Sequence, residues 1–359
     1  MKKLKVGIIG VGEIAQIIHL PILQSLPELY EIVALCDISQ RLLNVMGEKY
    51  GVKNLYANAA DMLDRTAMDA VFVLNNMEYH TECAIAALQR NIHVFVEKPM
   101  CVTEAEARDI IQARDASQAQ VMVGYMRRFA PAYLRALEEV RELGPINYAR
   151  VRDMIGPNAY FTGQSGTHVY RFDDIPAEAA RDRKERNARL MKEAIGEASG
   201  EEYAAYGLLL GLNSHDISAM REMLGMPLRV KAAASRQGGR FKNAILEYDG
   251  YDVMFETGVD GQGRFDAHIE VFGEQRSILV QYDTPYLRQL PTTLRIRDTI
   301  GHALQETVIR PTYKDAYTCE LEHFYEVAAN GLSPKTTPED YVQDLAIIKM
   351  IMDAVRRGA

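Results

Sequence analysis

Apolar residues along this chain follow two patterns. Up to about residue 125 they gather in short unbroken runs: LKVGIIG (4–10), EIVALCD (31–37), DAVFVLN (69–75), NIHVFVE (91–97) and QVMVG (120–124). Strands covered on both faces need runs of this kind, apolar at nearly every position. Amphipathic segments separate them. The clearest, 103–116, opens with Thr103 and Glu106 at capping-box spacing. Strand, helix, strand in repetition predicts βαβ units, a parallel sheet and right-handed crossovers.

Beyond residue 125 the pattern changes. INYARVRDM (146–154) alternates apolar and polar positions, as a strand with one wet face does. From 228 to 310 the chain reads as strand throughout. Asp249-Gly250 stands between two alternating runs as a hairpin turn, and a second hairpin is predicted around Gly273. Helices return at 317–330 and 338–356, the latter with Thr337 as N-cap and Pro338 at the first helical position. Residues 157–206 fit neither pattern. A polar, glycine-containing stretch, GPNAYFTGQSGTHVYRF, leads into a charged run, IPAEAARDRKERNARLMKEAIGEA, that reads as a solvated helix. The predicted class is therefore α/β. A doubly wound parallel sheet occupies 1–124. An α+β domain with a large, mostly antiparallel open sheet occupies 125–359, with an inserted segment at about 157–206.

A chain of 359 residues has room for about two domains. Its net charge of −8 argues against nucleic acid as a partner, because phosphate neutralisation needs a basic face. No apolar run approaches the ~18–20 residues of a membrane span. The first lysines lead straight into a strand, without a signal peptide's apolar stretch, so a cytoplasmic protein is expected. Cys36, Cys83, Cys101 and Cys319 lack metal-type spacing and are expected to be reduced thiols. No set of histidines or carboxylates suggests a metal.

Candidate chemistry begins at the first strand–helix turn. Gly10-Val11-Gly12-Glu13-Ile14-Ala15 fits G-x-G-x-x-G/A. In that pattern the first glycine permits the tight turn, the second lets backbone approach a pyrophosphate, and the small third residue allows close helix–strand packing. The helix that follows aims its N–H groups and positive dipole end at the phosphates. Asp37 ends the second strand. A carboxylate there accepts hydrogen bonds from both ribose hydroxyls and repels a 2′-phosphate, which favours NAD over NADP. Arg41, one helical turn on, blunts that preference. The plainer readings are an ordinary turn and a solvated loop aspartate.

Three further stretches fall where an open α/β sheet places its ligand: LNNMEYH (74–80), VEKPM (96–100) and GYMRRF (124–129). Gly10-x-Gly12, Asp37, His80, Glu97-Lys98-Pro99, GYMRRFAPAY, LNSHDISAM (212–220) and TPEDYVQDLAIIKMI (337–351) follow one another in an order that resembles the Gfo/Idh/MocA oxidoreductases, the glucose–fructose oxidoreductase and inositol dehydrogenase group. The resemblance covers essentially all of the chain except 157–206. It implies a Rossmann domain, a second domain with a large open sheet, a nicotinamide cofactor (NAD, with NADP possible), and a sugar, polyol or related substrate. It implies that Lys98 touches both the nicotinamide ribose and the substrate hydroxyl, that His215 assists from the second domain, and that the Lys98–Pro99 peptide is cis, aiming the lysine inward. It places Leu74, Asn75, Asn76, His80 and Glu97 at the cofactor beside the glycine turn, with His80 ordering a loop and doing no chemistry. The chain departs from the pattern in three places. Asn75-Asn76-Met77 replaces the usual Thr-Pro-Asn. Gly211 stands where the family commonly has an aspartate that orients substrate, and Asn213 where it has glycine.

The chemistry can also be argued from the residues. Oxidising a secondary alcohol needs a base for the O–H proton and an acceptor for the C–H hydride. A lysine in a closed cleft beside a positive nicotinamide has its pKa lowered by burial and like charge, which suits Lys98 to the first task. His215 can share the proton. Arg127 and Arg128 can clamp hydroxyls or a carboxylate, with one of them expected in a structural ion pair, and Tyr125 offers a wall and a hydroxyl. Asn213 and Asp216 are candidates to replace the missing aspartate, although Asp216 lies about 100° around the helix from His215. His168 and Tyr170 are candidates to line the pocket. The expected activity is NAD-dependent oxidation of a sugar, polyol or sugar acid. The alternatives are a lyase, glycosidase or isomerase with transient oxidation, and a non-catalytic regulator of the same fold. The open sheet is expected to pack on another subunit in a homodimer or homotetramer. Residues 157–206 are expected to cap the pocket or join subunits.

Overall fold

Six parallel strands form the first sheet of the computed structural model, which describes residues 2–358. They are β1 (Leu4–Ile9), β2 (Tyr30–Cys36), β3 (Asn54–Tyr56), β4 (Ala70–Val73), β5 (His93–Glu97) and β6 (Val121–Gly124), in the order β3-β2-β1-β4-β5-β6. Winding reverses between β1 and β4, so the sheet is doubly wound as expected, with its crevice outside the carboxyl ends of those strands. Every residue of β4 and β6 is buried, which is why their sequences show no polar alternation. The short β3 escaped prediction because three residues flanked by Lys53 and Ala57 make no apolar run. The helix Glu104–Asp115 opens on the predicted capping box: Glu106 N–H donates to Thr103 Oγ1 at 3.1 Å, and Thr103 N–H to Glu106 Oε2 at 3.0 Å.

The second sheet has eight strands: β7 (Tyr148–Ile155), β8 (Arg229–Arg236), β9 (Phe241–Glu247), β10 (Asp252–Val259), β11 (Phe265–Phe272), β12 (Arg276–Tyr282), β13 (Thr293–Ile300) and β14 (Ala303–Ile309). Their order is β14-β13-β12-β11-β7-β10-β9-β8. Only β7 and β10 pair in parallel, so the sheet is mostly antiparallel, as predicted. Both hairpins are present. Asp249-Gly250 joins β9 to β10, with Gly250 at φ +84°, and Gly273 lies in the turn from β11 to β12. On β7, Ala149, Val151, Asp153 and Ile155 point to the buried face, so one carboxylate sits in an otherwise apolar row. At the far edge Ile300, Leu304 and Val308 are exposed. No helix among the described residues is long and apolar enough to cross a membrane.

The chain divides into two compact units. The first takes the chain through Tyr125, close to the expected boundary, but also Thr167–Gly196 and Glu320–Val342. The second comprises Met126–Gly166, Glu197–Cys319 and the chain from Gln343 on. The return at 320–342 has an aromatic cause. Phe324 stands edge-on to Phe72 and Phe95, with ring centroids 5.4 and 5.5 Å away. Tyr30 Oη donates to Leu321 O at 2.5 Å and Tyr325 Oη to Lys2 O at 2.7 Å, so the polar tips of these rings are satisfied as well.

Phe324 is fully buried against the central strands. Phe324→Ala is expected to cost about 3–5 kcal/mol, read as a lowered urea midpoint at unchanged m-value.

Candidate functional site

The glycine turn is held by backbone. Gly10 has φ +89° and its N–H donates to Cys36 O at 2.8 Å. A Cβ at Gly10 would lie 2.6 Å from Asn75 N and Cα, so this position admits only glycine and brings the β1 turn against the loop after β4. Gly12 is the opposite case: a Cβ there would meet nothing within 4 Å. Val11 N–H donates to Asp37 Oδ2 at 2.9 Å and Ser39 N–H to Asp37 Oδ1 at 3.0 Å. Burial pushes the Asp37 carboxyl up, against the pull of these backbone donors. After Ile14 the helix opens into a wide i→i+5 turn over Ala15–His19, a form frequent at functional sites.

Lys98 is fixed through its backbone. Glu97 is buried, with Oε1 2.8 Å from His19 Nε2, and its Oε2 accepts Lys98 N–H at 3.1 Å. Lys98 itself is half-buried, and the Lys98–Pro99 peptide is cis, as the resemblance implied. His80 ties this loop to the preceding one. Its Nδ1 lies 2.9 Å from Pro99 O and its Nε2 2.9 Å from Asn75 O. Burial holds the ring below its usual pKa, although two carbonyls favour the proton. Leu74 is buried beneath the loop and Asn76 is exposed. Among the described residues Asn75 Oδ1 is buried without a hydrogen-bond partner.

These groups fit a dinucleotide. The open space over Gly12 would take a pyrophosphate, the spare lone pairs of Asp37 would take ribose hydroxyls, and Asn75 Oδ1 has acceptor capacity that nothing in the first unit uses.

The segment 167–196 packs on the same unit. Gln16 Nε2 donates to Tyr170 O at 3.1 Å and Tyr170 N–H to Gln16 Oε1 at 2.9 Å, and Arg171 pairs with Glu13. His168 stands edge-on to Tyr170 at 4.4 Å. The helix Ala177–Ile195 is exposed along most of its length, as its sequence suggested, with Leu190, Met191 and Ile195 buried. Arg183 and Asn187 reach the buried Glu78 at 3.4 and 3.0 Å, and Tyr79 Oη donates to Asp182 at 2.7 Å, so this helix braces the turn leading into His80.

In the second unit Arg127 and Arg128 lie on the turn Met126–Phe129, both buried. Both have internal partners, where one of them was expected in a structural ion pair. Arg127 bonds Asp216 and, at 3.1 Å, Asp153, with its guanidinium 4.9 Å from the Tyr282 ring centre. Arg128 Nε donates to Glu222 at 2.7 Å and Nη1 to Ser218 Oγ at 3.1 Å. Both arginines thereby grip the helix Ser214–Leu224, which carries His215. Burial, then the Asp216 charge, push the Asp153 carboxyl well above the usual range, against the pull of Arg127. Asn213 donates to Thr257 Oγ1 at 2.7 Å and to Asp216 Oδ2 at 3.3 Å. Asn213 and Asp216 are buried, at 0% and 1% exposure, and among the described residues Asn213 Oδ1 has no hydrogen-bond partner. Gly211 and Asn213 fall in a second wide turn, Leu209–Asn213. Tyr125, in the first unit, is buried and stacked on Tyr341 at 6.4 Å.

Sequence reasoning missed His19, Gln16 and Ser39. The partner of His19, Glu97, ends the fourth strand after it, so no local spacing marks the pair. Ser39 carried a usable signal, as an N-cap residue two positions after Asp37. An open recess of about 500 Å³ lined by Leu228, Arg229, Met350 and Arg357 contains none of the candidate residues.

Residues 4–125 match the oxidoreductase family described by its NAD-binding Rossmann fold. The chain is 24% identical over 344 residues to inositol 2-dehydrogenase of Salmonella paratyphi B, covering 92% of this chain and 88% of that one. It is 22% identical over 374 residues to scyllo-inositol 2-dehydrogenase (NAD(+)) of Bacillus subtilis, covering 99% and 95%. Its fold is similar to the crystal structure of myo-inositol 2-dehydrogenase from Lactobacillus plantarum, with TM-score 0.73, 21% identity and coverage of 99% and 98%.

Removing Arg127 leaves buried carboxylates unbalanced. Arg127→Met is expected to cost about 3–5 kcal/mol in urea unfolding, and Arg128→Met less, because Glu222 reaches solvent. A lowered folded pKa means that the unfolded chain binds the extra His80 proton. The His80 contribution is present above pH ~6.5 and lost as pH falls below it. The drop in urea midpoint between pH 7.5 and 5.5 is expected to be smaller in His80→Gln than in the unaltered protein.

Proposed function

We propose that this chain, whose residues 4–125 are those of the Gfo/Idh/MocA oxidoreductase family, is a dehydrogenase that moves a hydride between a secondary alcohol of a sugar, polyol or sugar acid and NAD. The observation that carries this reading is the arrangement around Lys98. A single amine stands on a loop pinned by Glu97 and His80, at the carboxyl end of β5 and on the same sheet edge as the glycine turn and Asp37. The full-length similarity to inositol dehydrogenases supports a polyhydroxylated substrate.

Bound nicotinamide supplies the hydride acceptor. The chain supplies the rest. Lys98 Nζ takes the hydroxyl proton as the C–H bond breaks, and returns it in the reverse direction. His215 is its partner in that transfer. Glu97 and His80 hold the Lys98 backbone and make no contact with substrate, so both are positioning residues. In this reading Arg127, Asn213 and Asp216 serve by fixing the His215 helix through their buried cluster, which takes over part of the orienting work that an aspartate at position 211 would do. Assembly as a homodimer or homotetramer through the open sheet belongs to the same proposal, supported by exposed Ile300, Leu304 and Val308 at its edge.

Lys98→Met is expected to lower kcat by about 10²–10⁴ while leaving the Kd for NAD within a few-fold, by calorimetry. Activity is read as NADH formation over a panel of inositols, sugars and sugar acids, with NADP in parallel. Turnover retained by Lys98→Met overturns the assignment. Substrate loss without NADH points instead to transient oxidation within a cleavage or isomerisation.

A further inference from the structure

The mouth of the Asp37 pocket carries anion donors that the chain itself already uses. Ser39 caps the helix Gln40–Tyr50, its Oγ accepting Leu42 N–H at 3.1 Å. The same hydroxyl donates to Asp174 Oδ1 at 2.6 Å, and Arg41 N–H, a first-turn amide with no intrahelical partner, donates to Asp174 Oδ2 at 2.9 Å. The Arg41 guanidinium pairs with Asp173 at 3.0 Å and lies 4.5 Å from the centre of the Phe172 ring. One hydroxyl, one helix-terminal amide and one guanidinium, two and four residues past the ribose-reading aspartate, make the donor set that a 2′-phosphate would need. Two carboxylates from the inserted segment occupy it.

We propose that Asp173 and Asp174 determine cofactor specificity: they stand in for the 2′-phosphate of NADP and so reserve the site for NAD. This rests on the functional reading above and gives the inserted segment a role in it. Three features support the assignment. Asp174 is half-buried and bidentate, one oxygen to each of two donors, which a chance surface contact seldom achieves. The segment is tied down at neighbouring residues, by Tyr170 to Gln16 and by Arg171 to Glu13, so the carboxylates arrive at a fixed place. The Ser39 and Arg41 donors also hold Asp174 below the usual carboxylate range, so it stays charged through the physiological range and repels a phosphate. Arg41, which from sequence alone weakens the NAD preference, is paired with Asp173 at 3.0 Å, an exposed contact with which a 2′-phosphate would have to compete.

The test is equilibrium binding of NAD, NADP and 2′,5′-ADP by calorimetry to the full chain, without substrate. The unaltered protein is expected to bind NAD at least tenfold more tightly than NADP. Asp173→Asn/Asp174→Asn, and the milder Asp174→Ser, are expected to keep NAD affinity within about threefold. The double variant is expected to gain at least tenfold for NADP and 2′,5′-ADP, and the single variant a smaller amount. Arg41→Ala in the double variant should remove the gain. NAD binding intact with no NADP gain in either variant overturns the proposal, as does a gain that survives Arg41→Ala. Failure of the unaltered protein to bind NAD overturns the functional reading itself, and this inference with it.

Discussion

Backbone against backbone at Gly10 and Asn75 is the constraint from which the first site grows. No side chain fits between them, so the turn after β1 and the loop after β4 meet at a fixed distance. Asn75 then passes the geometry on through its carbonyl to His80, and His80 through its other nitrogen to Pro99. Glu97 closes the chain of contacts from below, between His19 and the Lys98 amide. Lys98 therefore inherits its position from a glycine some ninety residues earlier. The loops that bear chemistry are irregular, yet each is tied to a strand end by at least one buried hydrogen bond, which limits how far they can wander.

The second unit solves a different problem, that of holding charge inside an apolar layer. Asp153 occupies a position on β7 where the alternation calls for a hydrophobe. It is tolerated because Arg127 reaches it at 3.1 Å. Such a cluster adds little net stability over an apolar core, but it allows few arrangements of its members. Its geometric product is the fixed start of the helix that carries His215.

Most of the first unit was legible because strands buried on both faces leave unbroken apolar runs, and because a capping box and a glycine turn have fixed spacings. β3 was not, being three residues of mixed character. Gly10 and Asp37, placed by backbone conformation, could be located from motif and strand end. Residues whose role depends on tertiary partners could not. Arg127 and Arg128 look alike in sequence and suggest a ligand clamp; only the positions of Asp153, Asp216 and Glu222 reveal their employment. The charged run at 177–195 is solvent-facing, as it reads, but its contacts with Glu78 and Tyr79 leave no local trace. Local pattern encodes secondary structure well, but the pairing of distant charges has no local trace.

The interleaving of the two units has a consequence for biosynthesis. The polypeptide visits the first unit three times and the second three times, alternating. As it emerges from the ribosome, the nucleotide-side unit lacks Phe324 and its neighbours until residue 342 is out, and the second unit lacks the chain from Gln343 on until that too has emerged. Each half therefore needs segments made after the other has begun. A nascent chain stalled before residue 320 would leave the Phe72 and Phe95 faces that Phe324 covers bare to whatever chaperone is near.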